Sequence, residues 1–256
     1  MSWARKRQIM YLGTIALIFG IIGAGFYFFY RPVMTCFDQK QNQDELGIDC
    51  GGICTKACPS QLIPLTIWWT RVFPVHKGIY DVAVLVENQN AHFGVQKIKY
   101  ALRAYDKFNV LIAERYGETF FEPQEKFVIY EPSIDTKEQE IDKAFLYFDD
   151  QAEWQRINTT APSISLGAKN YSNSPQPRLR SSVQNNSLET LRGTKFVAVL
   201  SDENGNALAA SQTVVDVLVG NESKELNFTW PTSLPKDPAI IDIYPKLDAS
   251  NSEGFR

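Results

Sequence analysis

Residues 9–30 read IMYLGTIALIFGIIGAGFYFFY, 22 consecutive positions without a charged side chain. As an α-helix rising about 1.5 Å per residue, this stretch reaches roughly 33 Å, the thickness of one hydrocarbon layer. A core helix of a globular protein is apolar on one face, and this segment is apolar all round. A secretory signal peptide is the competing reading, but its apolar region is usually about 7 to 15 residues and ends at a small-residue cleavage site. Here the run is longer and ends in Phe26-Tyr27-Phe28-Phe29-Tyr30. The segment reads as an uncleaved signal anchor whose partner is the lipid bilayer.

Arg5, Lys6 and Arg7 precede the span and only Arg31 follows it closely. The positive-inside bias then puts residues 1–8 in the cytoplasm as a short tail and everything after the anchor on the far side of the cell membrane. Tyr11 at one end and Tyr27 with Tyr30 at the other suit the two half-wet interfaces. Setting aside the four basic residues around the anchor leaves 22 of the 26 basic residues against 29 acidic ones, a net charge of −7 outside. Such a portion is repelled by an anionic membrane. Neither half offers the basic stripe of a nucleic-acid protein, so nucleic acid is not an expected partner.

All four cysteines, Cys36, Cys50, Cys54 and Cys58, lie in the neck at residues 31–60, just beyond the span. An even, tightly clustered set in an oxidising compartment predicts two disulfides, of a connectivity that spacing leaves open. A four-thiolate zinc site is the alternative, although such sites favour two short Cys-x2-4-Cys pairs rather than one long gap followed by two short ones. Residues 38–49 are dense in oxygen donors, which makes calcium conceivable. However, setting Asn42 and Asp44 at the first and third positions of a helix-loop-helix calcium loop puts Leu46 at the fifth and Ile53 where the bidentate Glu belongs. A polar, cross-linked loop is the plainer reading. From Cys36 to Cys54 the pattern Cys-x-Asp-x3-Asn-Gln-x-Glu-x-Gly-x-Asp-Cys-Gly-Gly-x-Cys resembles a short cysteine module of bacterial surface and secreted proteins, which implies no known chemistry.

After Pro59 the pattern changes to short strands. Tyr80, Val82, Val84 and Val86 alternate with Asp81, Ala83, Leu85 and Glu87, and Ile98, Tyr100, Leu102 and Ala104 with Lys99, Ala101, Arg103 and Tyr105, which predicts one wetter face for each. Further strands are expected at 110–116, 126–130 and 144–148. The 44% hydrophobic content is that of a folded chain. Val86-Glu87-Asn88-Gln89-Asn90 returns as Val183-Gln184-Asn185-Asn186-Ser187, and the Tyr105-Asp106 turn with Ile112-Ala113 returns as Ser201-Asp202 with Leu208-Ala209, at an offset of 96 or 97 residues. The expected fold is all-β: two tandem immunoglobulin-like β-sandwiches at 61–155 and 156–248, each near the roughly 100 residues of that sandwich, followed by a tail at 249–256.

The first half, through Trp68-Trp69, Tyr80 to Asn88, Tyr100 to Asp106 and Gly117 to Pro123, resembles the FxLYD and late-embryogenesis-abundant type of β-sandwich. The second resembles it through Phe196 to Gly205 and Leu226 to Pro231. Leu102-Arg103-Ala104-Tyr105-Asp106 stands where the family pattern asks for Phe-x-Leu-Tyr-Asp. The resemblance implies a non-enzymatic sandwich, often membrane-tethered.

No G-x-S-x-G, H-E-x-x-H, Walker or dinucleotide motif occurs, and His76 and His92 have no nucleophile at catalytic spacing. Catalytic, metal and cofactor residues are therefore expected to be none. Acceptor sequons stand at Asn158, Asn170, Asn185, Asn221 and Asn227. Trp68-Trp69 is expected in the first strand, with Ile67, Trp69 and Val72 half buried. The chain reads as a membrane-tethered extracytoplasmic binding, adhesion or scaffolding protein without catalytic activity, its partner an unidentified protein or envelope component. The alternatives are a cell-envelope hydrolase using paired carboxylates such as those of Glu138, Glu140 and Asp142 or Asp149-Asp150, and a membrane-tethered chaperone.

Overall fold

The structure, a computed structural model, describes residues 3–30, 35–158, 161–234 and 236–247. Arg31, used above for orientation, and the tail at 249–256 lie outside the described residues. Two compact units divide the chain, Met1–Cys54 and Thr55–Arg256.

In the first unit, α1 (Trp3–Phe29) runs for 27 residues, none of them buried. Among the described residues it is the one helix long and apolar enough to cross a membrane. It takes in Arg5, Lys6 and Arg7, and the Arg7 guanidinium stacks 4.1 Å over the Trp3 ring. The rest of this unit is a turn-rich coil around Cys36–Cys54, whose Cα atoms lie 5.7 Å apart.

The second unit supplies nearly all of the strand that makes up about half the chain. β1 (Thr66–His76), β2 (Ile79–Glu87) and β5 (Lys126–Asp135) form one antiparallel sheet in the order β1-β2-β5. β3 (Phe93–Tyr105), β4 (Leu111–Phe121) and β6 (Lys143–Phe148) form a second, β4-β3-β6, with β7 (Trp154–Arg156) also on β3. A third, β12-β11-β14, combines β12 (Ala207–Leu218), β11 (Leu191–Ser201) and β14 (Ile240–Lys246). The fourth, β13-β10-β8, combines β13 (Ser223–Thr229), β10 (Arg178–Asn185) and β8 (Ile164–Leu166), with β9 (Asn170–Ser172) also on β10.

Strand alternation explains how these sheets stack. On β11, Phe196, Ala198 and Leu200 enter a core with Leu179 and Val183 of β10 and Leu226 and Phe228 of β13. The intervening Val197 and Val199 enter a different core, with Val82 to Val86 of β2 and Val128 and Ile129 of β5. Successive side chains point to opposite faces, so the β12-β11-β14 sheet is covered on both. The β1-β2-β5 sheet is covered on both as well: Val82, Val84 and Val86 register with Glu131, Ile129 and Phe127, and Ala83 and Leu85 register with Tyr130 and Val128. All five β2 residues are buried. The wetter face expected for Ala83 and Leu85 is therefore absent, because the second half of the chain lies on it. Each such valine or leucine contributes about 1.5–3 kcal/mol by leaving water. The order of layers is β4-β3-β6, β1-β2-β5, β12-β11-β14, β13-β10-β8.

Trp69 and Val72 pack on the first core, as expected of a first strand, whereas Ile67 stays exposed. Trp68 is the extra residue of a bulge between Ile67 and Trp69. Its Nε1 donates to Glu87 Oε2 at 2.6 Å.

The two halves use the same local chemistry. Buried Asn88 donates from Nδ2 to the Phe93 and Glu122 carbonyls and accepts from the Asn90 N–H. Buried Asn185 donates to the Glu189, Leu218 and Val219 carbonyls and accepts from the Ser187 N–H. Asp106 Oδ1 accepts from the N–H groups of Phe108 and Val110, and Asp202 Oδ1 from those of Asn204 and Asn206. Each aspartate turn then passes through a positive φ, at Asn109 and at Gly205. An Asp side chain that closes a turn on its own backbone, followed by a residue tolerant of the left-handed region, produces this geometry.

Candidate functional site

All four cysteines are oxidised. Cys36 and Cys54 are bonded to one another, and Cys50 and Cys58 are disulfide-bonded too, so no described cysteine is free and no four-thiolate zinc site forms. Buried Glu45 accepts from the Asn42 N–H at 3.1 Å and places Oε1 3.2 Å from Cys54 Sγ. In the oxygen-rich loop, both Asp49 oxygens accept from the Gln39 N–H, and the Asp38 oxygens accept from the Lys40 N–H and Asn42 Nδ2. These carboxylates are consumed by the loop's own donors, which is how a polar loop without a core holds its shape. Gly52 has φ +57°, and a Cβ there would lie 1.9 Å from the Asp44 carbonyl oxygen. Glycine is thus a steric requirement of the Cys-Gly-Gly-x-Cys pattern.

Within the second unit, residues 55–63 are fastened to its first half. The Ala57 N–H donates to the Trp154 carbonyl and the Arg156 N–H to the Thr55 carbonyl. Asn90 mimics a backbone partner for Ile63, accepting from its N–H and donating to its carbonyl, each at 2.8 Å.

Between the halves of the second unit lies a cleft of about 280 Å³ lined by Tyr100, Glu118, Phe127, Tyr130, Arg192, Lys195 and Lys246 among others. One lining residue, Lys246, is held in an ion pair. Lys246 of β14, with 4% of its side chain exposed, donates to Glu125 Oε2 at 2.7 Å and to the Phe120 carbonyl at 2.5 Å. Its ammonium stands 4.2, 4.4 and 4.9 Å from the ring centres of Phe120, Phe121 and Phe127. A buried charge needs such a complete set of partners. The cleft's phenols are equally committed. Tyr100 donates to Glu131 at 2.5 Å and Tyr130 to Asp81 at 2.6 Å. Burial, and then the carboxylate partner, pushes both hydroxyls far above the ordinary tyrosine range. Neither hydroxyl is a usable base near neutral pH.

The outer face of β4-β3-β6 carries exposed aromatic rings. Ala101 registers with Tyr116 on one side and Tyr147 on the other, and Arg103 with Glu114 and Phe145. Tyr116 is 74% exposed and Phe145 and Tyr147 are each 46% exposed. Tyr105 meets Phe145 edge to face at 6.0 Å. The Arg103 guanidinium lies 5.2 Å over the Tyr147 ring and donates from Nε to Glu114 Oε1 at 2.6 Å. Hydrogen bonds from Arg103 and then Tyr116 hold the Glu114 carboxyl below its usual range, and the same bond raises the Tyr116 hydroxyl. The other outermost face is ordinary: Arg178, Arg180 and Gln184 of β10 and Glu225, Asn227 and Thr229 of β13 stand exposed there.

His76 and His92 are both exposed, and the His76 ring's nearest partner is the Lys77 carbonyl at 3.4 Å. Glu138 is an exposed partner of Lys77, Glu140 and Asp142 are exposed, and Asp149 caps the Gln151 N–H. Of the sequons, Asn170, Asn221 and Asn227 are exposed, but the Asn185 amide is buried and spent on three carbonyls. The sequence reading passed over Lys246 and the aromatic face. A lone lysine in Ile243-Tyr244-Pro245-Lys246 carries no visible mark of burial. The face did leave one: Phe145 and Tyr147 occupy the positions of β6 that a solvent-facing pattern assigns to polar residues.

No family model and no curated protein matches the chain. Among solved structures, the crystal structure of red sea bream transglutaminase is similar at 10% identity and TM-score 0.24, over 73% of this chain and 30% of that one. A mutant of Bacillus subtilis oxalate decarboxylase is similar at 7% identity and TM-score 0.12, over 75% of this chain and 80% of that one. The chain thus spans under a third of the transglutaminase, and likenesses this distant carry no argument about activity.

Proposed function

We propose that the protein is a single-pass membrane protein with a cytoplasmic amino terminus. It displays two tandem immunoglobulin-like sandwiches of the FxLYD type outside the cell, and they act in binding, adhesion or scaffolding rather than catalysis. One observation carries this reading: from Ile9 onward α1 is apolar on every side, and none of its residues is buried in a core. A helix of that kind is stable where lipid, not water, surrounds it. Disulfide-bonded cysteines directly after it fit an oxidising exterior. The matching strand orders and the paired Asn88/Asn185 and Asp106/Asp202 arrangements support two copies of one sandwich. The exposed aromatic face supports contact with a partner, since a solvated sheet face ordinarily looks like that of β13-β10-β8.

The test is made in intact cells expressing the chain with a carboxy-terminal tag. A membrane-impermeant amine reagent is expected to label it before permeabilisation, and alkaline carbonate to leave it in the membrane fraction. Labelling only after lysis, or recovery of a soluble form cleaved after residue 30, overturns the proposal.

A further inference from the structure

We infer that Glu45 guards the Cys36–Cys54 disulfide against thiol exchange, by holding a buried carboxylate beside the sulfur that an incoming thiol must expel. The inference concerns the neck and does not depend on what the sandwiches bind.

Access sets the direction of attack. Cys54 is 2% exposed, whereas Cys36 is half-buried, so an outside thiolate reaches Cys36 Sγ. In thiol exchange the attacking thiolate bonds to one sulfur, and the other departs with the electron pair of the broken S–S bond. Attack at Cys36 thus leaves a mixed disulfide there and a thiolate on Cys54.

That thiolate forms in an unfavourable place. Glu45 is 7% exposed and its Oε1 lies 3.2 Å from Cys54 Sγ. An oxidised sulfur carries no proton, so this contact gives the oxygen no donor. Glu45 is held there by other means: its Oε2 accepts from the Asn42 N–H at 3.1 Å, and Asn42 Nδ2 donates in turn to Asp38 at 2.8 Å. Two negative charges brought together in a buried site repel strongly, and a poorer leaving thiol slows exchange. The surrounding charge acts in the same sense. From Cys36 to Cys54 the chain carries Asp38, Asp44, Glu45 and Asp49 against Lys40, four negative charges to one positive, which repels anionic thiols. A thiolate attacking Cys54 itself meets the same carboxylate.

The spacing of the cysteines gives the guard a purpose. Cys50 and Cys58 each stand four residues from Cys54. A Cys54 thiolate set free is therefore placed to attack a neighbouring disulfide sulfur and scramble the pairing. Keeping Cys54 from ionising stops that relay at its first step.

The experiment treats the full chain in micelles with dithiothreitol, a neutral dithiol, quenches with acid at intervals, and reads each cysteine by alkylation and mass spectrometry. One thiol of the reagent attacks Cys36. Its second thiol then displaces Cys36 as the reagent closes into a cyclic disulfide, and water protonates the two cysteine thiolates. Glu45→Gln keeps an oxygen for the Asn42 N–H and removes the charge. It is expected to open Cys36–Cys54 about tenfold faster. Asp44→Asn, at an exposed neighbour, is expected to stay within about twofold. Hydrogen exchange of the Asn42 amide separates charge from looseness: its protection is expected to be equal in the wild type and Glu45→Gln. Glutathione, trapped early as a mixed disulfide, is expected on Cys36. The inference is overturned if Glu45→Gln opens at the wild-type rate, if it opens faster only with loss of Asn42 protection, or if glutathione is found on Cys54. Glu45→Met is run beside it as a second neutral variant. Failure of both to form the native bond makes Glu45 a folding determinant and overturns the inference as well.

Discussion

Replacing Lys246 with Met tests how the two halves of the second unit are joined. Methionine keeps an unbranched stem against Phe120, Phe121 and Phe127, so little volume is lost, and what disappears is the charge. The variant leaves Glu125, with 12% of its side chain exposed, without its cation. Breaking a buried pair by removing one partner costs about 3–5 kcal/mol. Glu125 still accepts from the Glu122 N–H at 3.0 Å, which puts the expected loss at the lower end, about 3 kcal/mol. For a unit of this size that is a fall of about 6–12 °C in Tm. Glu125→Gln, which strands the ammonium instead, is expected to cost a similar amount.

The double variant Lys246→Met/Glu125→Gln removes both charges together. It is expected to lose about 3 kcal/mol rather than about 6, a coupling at the upper end for contacting residues. Denaturant unfolding of the full chain in micelles, followed by tryptophan fluorescence, measures all four species. Because the pair is shielded from solvent, its coupling survives 1 M salt, unlike that of the exposed Lys236–Glu203 pair. Additive single effects, or a Lys246→Met shift below about 2 °C, refutes the reasoning and makes the pair incidental to the junction.

Gly52→Ala is expected to prevent stable closure of the cysteine module, because the added Cβ would meet the Asp44 backbone at 1.9 Å and the φ is left-handed. Mass spectrometry of the non-reduced protein reads this as loss of the Cys36–Cys54 pairing. Asn88→Ala and Asn185→Ala each remove several buried hydrogen bonds to turn carbonyls and are expected to cost about 2–3 kcal/mol, measured by the same unfolding assay. Tyr100 and Tyr130 have raised hydroxyls, so the stability they contribute is full below the ordinary tyrosine value of about 10 and is lost as pH rises through their folded values. Absorbance titration at alkaline pH is expected to show Tyr100 and Tyr130 among the phenols that ionise late, and Tyr100→Phe to remove one late phase.

How much of this was legible depended on whether a signal was local. The anchor, the clustered cysteines and the aspartate turns declare themselves within a few residues, because each is a property of one segment's chemistry. The burial of Ala83 and Leu85 was not local. Val82-Ala83-Val84-Leu85-Val86 and Phe196-Val197-Ala198-Val199-Leu200 are unbroken apolar runs, the pattern of strands covered on both faces. Read one at a time, each fits an alternating strand. Together they show that each half of the unit has one sheet with too little polar surface to face water, and the two sheets meet.

The same reasoning explains the aromatic face. Each half has a central strand covered on both sides, β2 in the first and β11 in the second, and each leaves one outer sheet for solvent. On β10 and β13 the outward positions carry Arg180, Gln184, Glu225 and Asn227, residues that cost nothing in water. At outward positions of β4 and β6 stand Tyr116, Phe145 and Tyr147, which add nothing to either core and leave a liability for self-association. Folding alone is indifferent between these two compositions, because neither face is buried.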